Sequence, residues 1–200
     1  SIKSIFDNSF NYVLQYKIKA NSQDLEKYPA LFIFLIDQSG SMEGNPIQIV
    51  SEALKLALQS LPINSYYQLI GFGTNYKKYD RTPKEYNESN INESMKIIKN
   101  LKGDLGGTNI YSPLKYIYDS YEIYDKINLP KNIFLLTDGE IENKKETLKL
   151  IEKNNSKFSI FSFGIGSDFD KDLIKNAGII GKGNYNFCSE IKDLKTIFCK

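Results

Sequence analysis

Three short stretches of the chain carry oxygen-bearing side chains at spacings suited to a hard cation. The first is Asp37-Gln38-Ser39-Gly40-Ser41, where a carboxylate and two hydroxyls alternate along a tight loop. Gly40 between the serines supplies the backbone freedom for such a loop to curl on itself. The second is Gly106-Gly107-Thr108-Asn109, and the third is Leu136-Thr137-Asp138-Gly139-Glu140. Together Asp37, Ser39, Ser41, Thr108 and Asp138 form an oxygen-only donor set. Such a set suits Mg²⁺ or Mn²⁺, with Ca²⁺ also admissible, and suits zinc poorly.

Absences narrow the chemistry further. The 200-residue chain has 0 His, which removes imidazole bases, Ser-His-Asp and Cys-His nucleophile systems and every His-ligated metal. Its 2 Cys are too few for a tetrahedral zinc site or a disulfide framework. Cys188 and Cys199 are expected at the ends of a strand and a helix, too far apart to be bridged. Two reduced thiols lean towards an intracellular setting, while the compartment itself is not legible. Thr137-Asp138-Gly139 resembles the turn of aspartate-dependent phosphatases, but the position of their nucleophile is Leu136 here, which excludes that chemistry.

Lys plus Arg is 26 and Asp plus Glu is 24, a net charge of +2 that leaves no electrostatic footprint for nucleic acid or an anionic membrane. The longest apolar run, Ala30 to Ile36, is strand-sized and far short of the roughly 20 residues of a membrane helix. The N-terminus carries no signal-peptide core and no initiator Met, so targeting is not read from it.

The elements that must position these groups alternate. Leu31 to Ile36 is continuously apolar, as in a strand covered on both faces. Pro46 is expected to open a helix with Ile47, Val50, Leu54, Leu58 and Leu61 on one face. Further strands are expected at Tyr67 to Phe72, Ile133 to Leu136, Phe158 to Gly164 and Asn184 to Cys188, with a short Lys-guarded edge strand at Tyr76 to Tyr79. Helices are expected at Ile91 to Leu101, Lys144 to Asn154, Asp170 to Ala177 and Ile191 to Phe198. Another, capped by Ser112 and opened by Pro113, should run to about Tyr124. The pattern is α/β: a mostly parallel sheet with helices on both faces. Residues 29–200 read as this domain. Residues 1–28 read as an extension whose Phe10 to Lys19 alternate like one more strand, at a sheet edge or in a neighbouring domain. Ligands of such sheets bind beyond the carboxyl ends of strands where strand order reverses. If the strands ending at Asp37 and Asp138 are neighbours there, all five groups meet in one crevice.

The order and spacing of these motifs resemble the metal-ion-dependent adhesion site (MIDAS) of von Willebrand factor type A domains. Asp37 to Met42, Leu69 to Gly73, Gly106 to Ile110, Leu135 to Glu140 and Phe163 to Gly166 are similar to the inter-alpha-trypsin inhibitor heavy chain-like subgroup. The resemblance runs from about Leu31 to Phe198. It implies a Rossmann-like, six-stranded, mostly parallel sheet with one antiparallel edge strand. It also implies a cation held directly by Ser39, Ser41 and Thr108, with Asp37 and Asp138 acting through water. The implied function is a non-enzymatic module, monomeric within a larger protein, that engages an exposed Asp or Glu of a protein partner. The rival readings are a hydrolase using cation-activated water, with Glu43 or Glu140 as base, and a structural domain with an empty site. Glu43, Glu140 and Asp104 otherwise read as solvated loop charges. Asp168 and Asp170 read as helix caps rather than a calcium loop, and Tyr116, Tyr118, Tyr121 and Tyr124 as packing residues with wet hydroxyls.

Overall fold

The apolar run becomes the hub of the sheet. In the computed structural model, which describes residues 28–139, 141, 143–167 and 169–190, strand β1 spans Leu31–Asp37. Its two parallel neighbours are β2 (Tyr66–Phe72) and β5 (Lys131–Thr137). Beyond β5 lie β6 (Ser159–Ile165) and β7 (Asn184–Cys188), also parallel. At the other edge β3 (Tyr76–Lys78) and β4 (Lys84–Glu85) both pair antiparallel with β2. The order is therefore β3-β2-β1-β5-β6-β7, with β4 sharing the β3 edge. The expected six positions are present, but the antiparallel edge is made of two pieces. The Lys84–Glu85 piece has no apolar pattern of its own and is held by backbone pairing to Tyr66 and Tyr67.

Strand periodicity explains why β1 is apolar throughout, since alternate residues face opposite layers. Phe34 and Ile36 pack with α1 (Asn45–Gln59) and α2 (Glu88–Lys99). Leu31, Ile33 and Leu35 pack with α3 (Tyr111–Asp119), α4 (Tyr121–Asp125), α5 (Lys144–Asn154) and α6 (Lys171–Ile180). Three expectations are corrected here. Pro46 is the second residue of α1, behind Asn45. Ser112 does not cap α3: the helix starts one residue earlier, and Asn109 Oδ1 accepts the Ser112 N–H at 3.1 Å, the capping bond expected of Ser112 itself. The run to Tyr124 is also interrupted at Ser120 (φ −89°, ψ 17°), which divides it into α3 and α4. Asp170 caps α6 as expected, accepting the Leu173 N–H at 2.9 Å.

The strand expected at Phe10 to Lys19, the last helix at Ile191 to Phe198, Cys199, Glu140 and Asp168 lie outside the described residues. Cys188 is buried. Among the described residues no helix is long and apolar enough to cross a membrane.

Candidate metal centre

The strand order reverses between β1 and β5: the chain leaves β1 towards β2 and leaves β5 towards β6. That creates a crevice beyond their carboxyl ends. Asp37 is the last residue of β1, and Asp138 follows the last residue of β5. The sequence condition for a common site is thus met by the parallel pairing of these two strands.

The five oxygen-bearing residues do different things. Ser41 donates its hydroxyl to Asp138 Oδ1 at 2.9 Å, and the Ser39 and Ser41 hydroxyls lie 3.0 Å apart. Since the Ser41 proton is committed to Asp138, Ser39 donates to Ser41, and a relay runs Ser39 to Ser41 to Asp138. Thr108 reaches the same loop through Gly139: a Cβ there would lie 2.8 Å from Thr108 Cγ2 and 3.0 Å from its Oγ1. Glycine is required at 139 for Thr108 to come so close. Asp37 sits beneath, fully buried. Its Oδ1 accepts the Ser39 N–H at 2.8 Å, and its Oδ2 accepts the Thr137 hydroxyl. Thr137 Oγ1 in turn accepts the Gly139 N–H at 3.1 Å. Asp37 therefore ties the first loop to the third from below.

The loop carrying Thr108 is pinned to the first loop by backbone bonds. Gly40 N–H donates to Gly106 O and Leu105 N–H to Gln38 O, both at 2.8 Å. Gly106 has φ +83°, a conformation that side chains other than glycine's rarely adopt. Thr74, after β2, receives the Gly107 N–H on its hydroxyl at 2.8 Å. Asn109 N–H reaches Gly73 O at 2.9 Å. Sequence reasoning missed Thr137 and Gln38. Thr137 carried a weak signal, being a hydroxyl residue at the end of an apolar strand. Gln38 carried none.

Burial raises the Asp37 carboxyl from 3.8 to about 6, against the lowering effect of its bonds from Thr137 and Ser39. Asp138 is also raised, chiefly by burial, with the Ser41 bond opposing. The buried Asp37 and the partly buried Asp138, flanked by neutral hydroxyls, attract positive charge. Among the described residues no three His, Cys, Asp or Glu side chains converge, so a cation centre here depends on the hydroxyls. The other candidates stand apart from it. Glu43 and Asp104 are exposed. Asp170 is held in its ionised form by Lys144 Nζ at 2.8 and 2.7 Å, at the start of α6.

The sequence profile of the von Willebrand factor type A domain matches residues 31–187, from the first residue of β1 into β7. The chain belongs to the von Willebrand factor type A domain family. It is 35% identical over 164 residues to a von Willebrand factor A domain-containing protein of Dictyostelium discoideum, covering 82% of this chain and 17% of that protein. It is 36% identical over 159 residues to von Willebrand factor A domain-containing protein 5B1 of Mus musculus, covering 80% of this chain and 13% of that one. The domain thus spans less than a fifth of the length of these two relatives. Among solved structures, a von Willebrand factor type A protein from Catenulispora acidiphila superposes with a TM-score of 0.73 at 19% identity, over 85% of this chain and 41% of that one. Proximal thread matrix protein 1 from the mussel byssus, with a zinc-occupied MIDAS motif, gives 0.68 at 18% identity, over 86% and 47%. Manganese-loaded TRAP protein of Plasmodium vivax gives 0.60 at 18% identity, over 88% and 74%. These likenesses establish the Rossmann-like fold. Von Willebrand factor A domains generally mediate protein interactions, some of them metal-dependent.

Proposed function

We propose that Asp37, Ser39, Ser41, Thr108 and Asp138 of this domain form a MIDAS that grips an acidic side chain of a protein partner. The observation that carries the reading is the relay from Ser39 through Ser41 to Asp138, with Thr108 packed on Gly139 beside it. The all-oxygen donor set, neutral hydroxyls with two outer carboxylates, supports a hard cation, and Mg²⁺ or Mn²⁺ is proposed ahead of Ca²⁺. Zinc, carried by one structural neighbour, belongs in the same titration.

In this reading Ser39, Ser41 and Thr108 hold the cation directly, while Asp37 and Asp138 orient its water. The cation, when bound, supplies Lewis acidity towards an incoming carboxylate. Neutral hydroxyls leave that pull intact, whereas directly bound carboxylates would quench it. Asp37 keeps Ser39 and Thr137 in place, and Asp138 fixes the direction of the Ser41 hydroxyl. The matching motifs at Leu69 to Gly73 and Phe163 to Gly166 support placement in the inter-alpha-trypsin inhibitor heavy chain-like subgroup. The module is proposed to be non-enzymatic: the chain has 0 His, and Glu43, one of the two candidate bases, is exposed.

A cation at 100 times its dissociation constant stabilises the native state by about 2.7 kcal/mol. Mg²⁺ or Mn²⁺ is therefore expected to raise the melting temperature of the wild-type chain. Asp138→Ala and Ser39→Ala should remove that shift while remaining folded in EDTA. Equal shifts in wild type and variants would overturn the assignment. Partner capture is expected to vanish in EDTA and in Asp138→Ala, and turnover of phosphoesters in Mn²⁺ would instead favour the hydrolase.

A further inference from the structure

Gln38 separates the first two oxygens of the site, and its side chain is almost wholly buried at 3% exposure. Both its polar ends are engaged by other segments. Its Oε1 accepts the Tyr79 hydroxyl at 2.7 Å, and its Nε2 donates to Lys102 O at 2.8 Å. Tyr79 directly follows edge strand β3, where its N–H donates to Leu69 O at 3.1 Å. Lys102 opens the loop that leads to Thr108. Gly71 of β2 makes room for the arrangement, since a Cβ there would lie 2.0 Å from Gln38 Oε1. One side chain thus joins the serine loop, the sheet edge and the threonine loop.

We infer that Gln38 and Tyr79 form a positioning strut that holds the metal cleft at the width of a small octahedral cation, so that preference for Mg²⁺ and Mn²⁺ over Ca²⁺ depends on this bond. The inference rests on the MIDAS reading above. Its logic lies in how the ions differ. Mg²⁺ demands near-ideal octahedral geometry at about 2.0–2.1 Å, whereas Ca²⁺ accepts about 2.3–2.6 Å in a flexible shell. The backbone bonds Leu105–Gln38 and Gly40–Gly106 keep the two loops together without the strut. The Gln38 side chain adds the link that fixes their separation against the sheet edge. A cleft freed of that link suits the larger, tolerant ion nearly as well as before and the smaller one worse.

Three variants of the full chain test this: Tyr79→Phe, Gln38→Met and the two combined, with Lys77→Ala as control. Lys77 Nζ lies 4.9 Å from the Tyr79 ring centre, so its removal changes the same edge and leaves the hydroxyl bond intact. Affinities for Mg²⁺, Mn²⁺ and Ca²⁺ are measured by calorimetry, and folding by thermal unfolding in EDTA. Mg²⁺ and Mn²⁺ affinity should fall about ten-fold in each single variant, the low end of what outer-shell residues of a metal site cost. Ca²⁺ affinity should fall by less than about three-fold. The double variant should be no weaker than Gln38→Met, because both act on one bond, and Lys77→Ala should match the wild type. Should Gln38→Met fail to fold, Tyr79→Phe alone decides, as it removes one oxygen and keeps the ring. Parallel losses for all three ions, or unchanged affinities, in a folded Tyr79→Phe would overturn the strut and leave the metal site standing. A wild-type chain that takes up no divalent cation would overturn the MIDAS reading, and the strut with it.

Discussion

Asp37 shows how one residue of the proposed site burdens the fold. Its carboxyl is raised from 3.8 to about 6 by burial. Below about pH 4 it is protonated in both folded and unfolded chains, and no penalty arises. As the pH rises towards 6 the unfolded chain ionises freely while the folded one resists. Stability is therefore lost up to the folded value and levels off above it, by about 3 kcal/mol in all. Urea unfolding in EDTA at pH 4.5 and 7.5, compared between wild type and Asp37→Asn, should reveal this as the part of the pH dependence missing from the variant. Mg²⁺ at neutral pH should restore the lost stability in wild type only. A like pH dependence in both proteins would show that Asp37 ionises without penalty. That Asp37 is a candidate for the proposed site is legible in its spacing from Ser39 and Ser41. That its second oxygen is held by Thr137 was not, because the partner is 100 residues away and the bond exists only once β1 and β5 pair.

At the level of elements, legibility followed burial. The apolar runs of β1 and β5 carry their strand character locally, because both faces of each are covered. The two-residue β4 was invisible, since it has no apolar pattern and its place is set by contacts outside it: pairing with β2, ion pairs of Lys84 with Asp80 and Glu93, and the Asn90 side chain donating to Glu85 O. The sequence predicts the tyrosines of α3 and α4 as packing residues with wet hydroxyls, and the structure corrects part of that. Tyr118 and Tyr124 are buried, and burial raises both phenols. The Tyr124 hydroxyl donates to Gln68 Oε1 at 3.0 Å, and Gln68 Nε2 donates to Asp80 O at 2.9 Å. The break at Ser120 lets α4 turn so that the Tyr121 and Tyr124 rings meet the edge of Phe158 at 5.9 Å. This line joins a helix on one face, a central strand and the start of the edge turn. Tyr124→Phe leaves the Gln68 oxygen buried without its donor, at a cost of about 1–3 kcal/mol. Chemical denaturation should register that loss with Mn²⁺ affinity unchanged, since the bond is remote from the cleft.

For the whole molecule the sheet order is the governing feature. The pairing of β1 with β5 was the condition that sequence could state and only the fold could meet. It closes a loop of chain that contains β2, the edge pieces and four helices. Ser41 and Asp138 are 97 residues apart, and the two halves of the proposed cleft do not meet until that closure is made. Such long-range parallel pairing forms slowly, because loop-closure entropy is lost before the contacts offset it. The consequence is one of timing. A cation that needs both halves has nothing to bind before the rate-limiting barrier is crossed, so it acts as a latch set after the door has shut. Mn²⁺ should then slow unfolding and leave the refolding rate unaltered, the pattern of a contact absent from the transition state. Stopped-flow fluorescence of the tyrosines, with and without Mn²⁺, would measure both limbs, and faster refolding in Mn²⁺ would place the closure of β1 on β5 before the barrier instead.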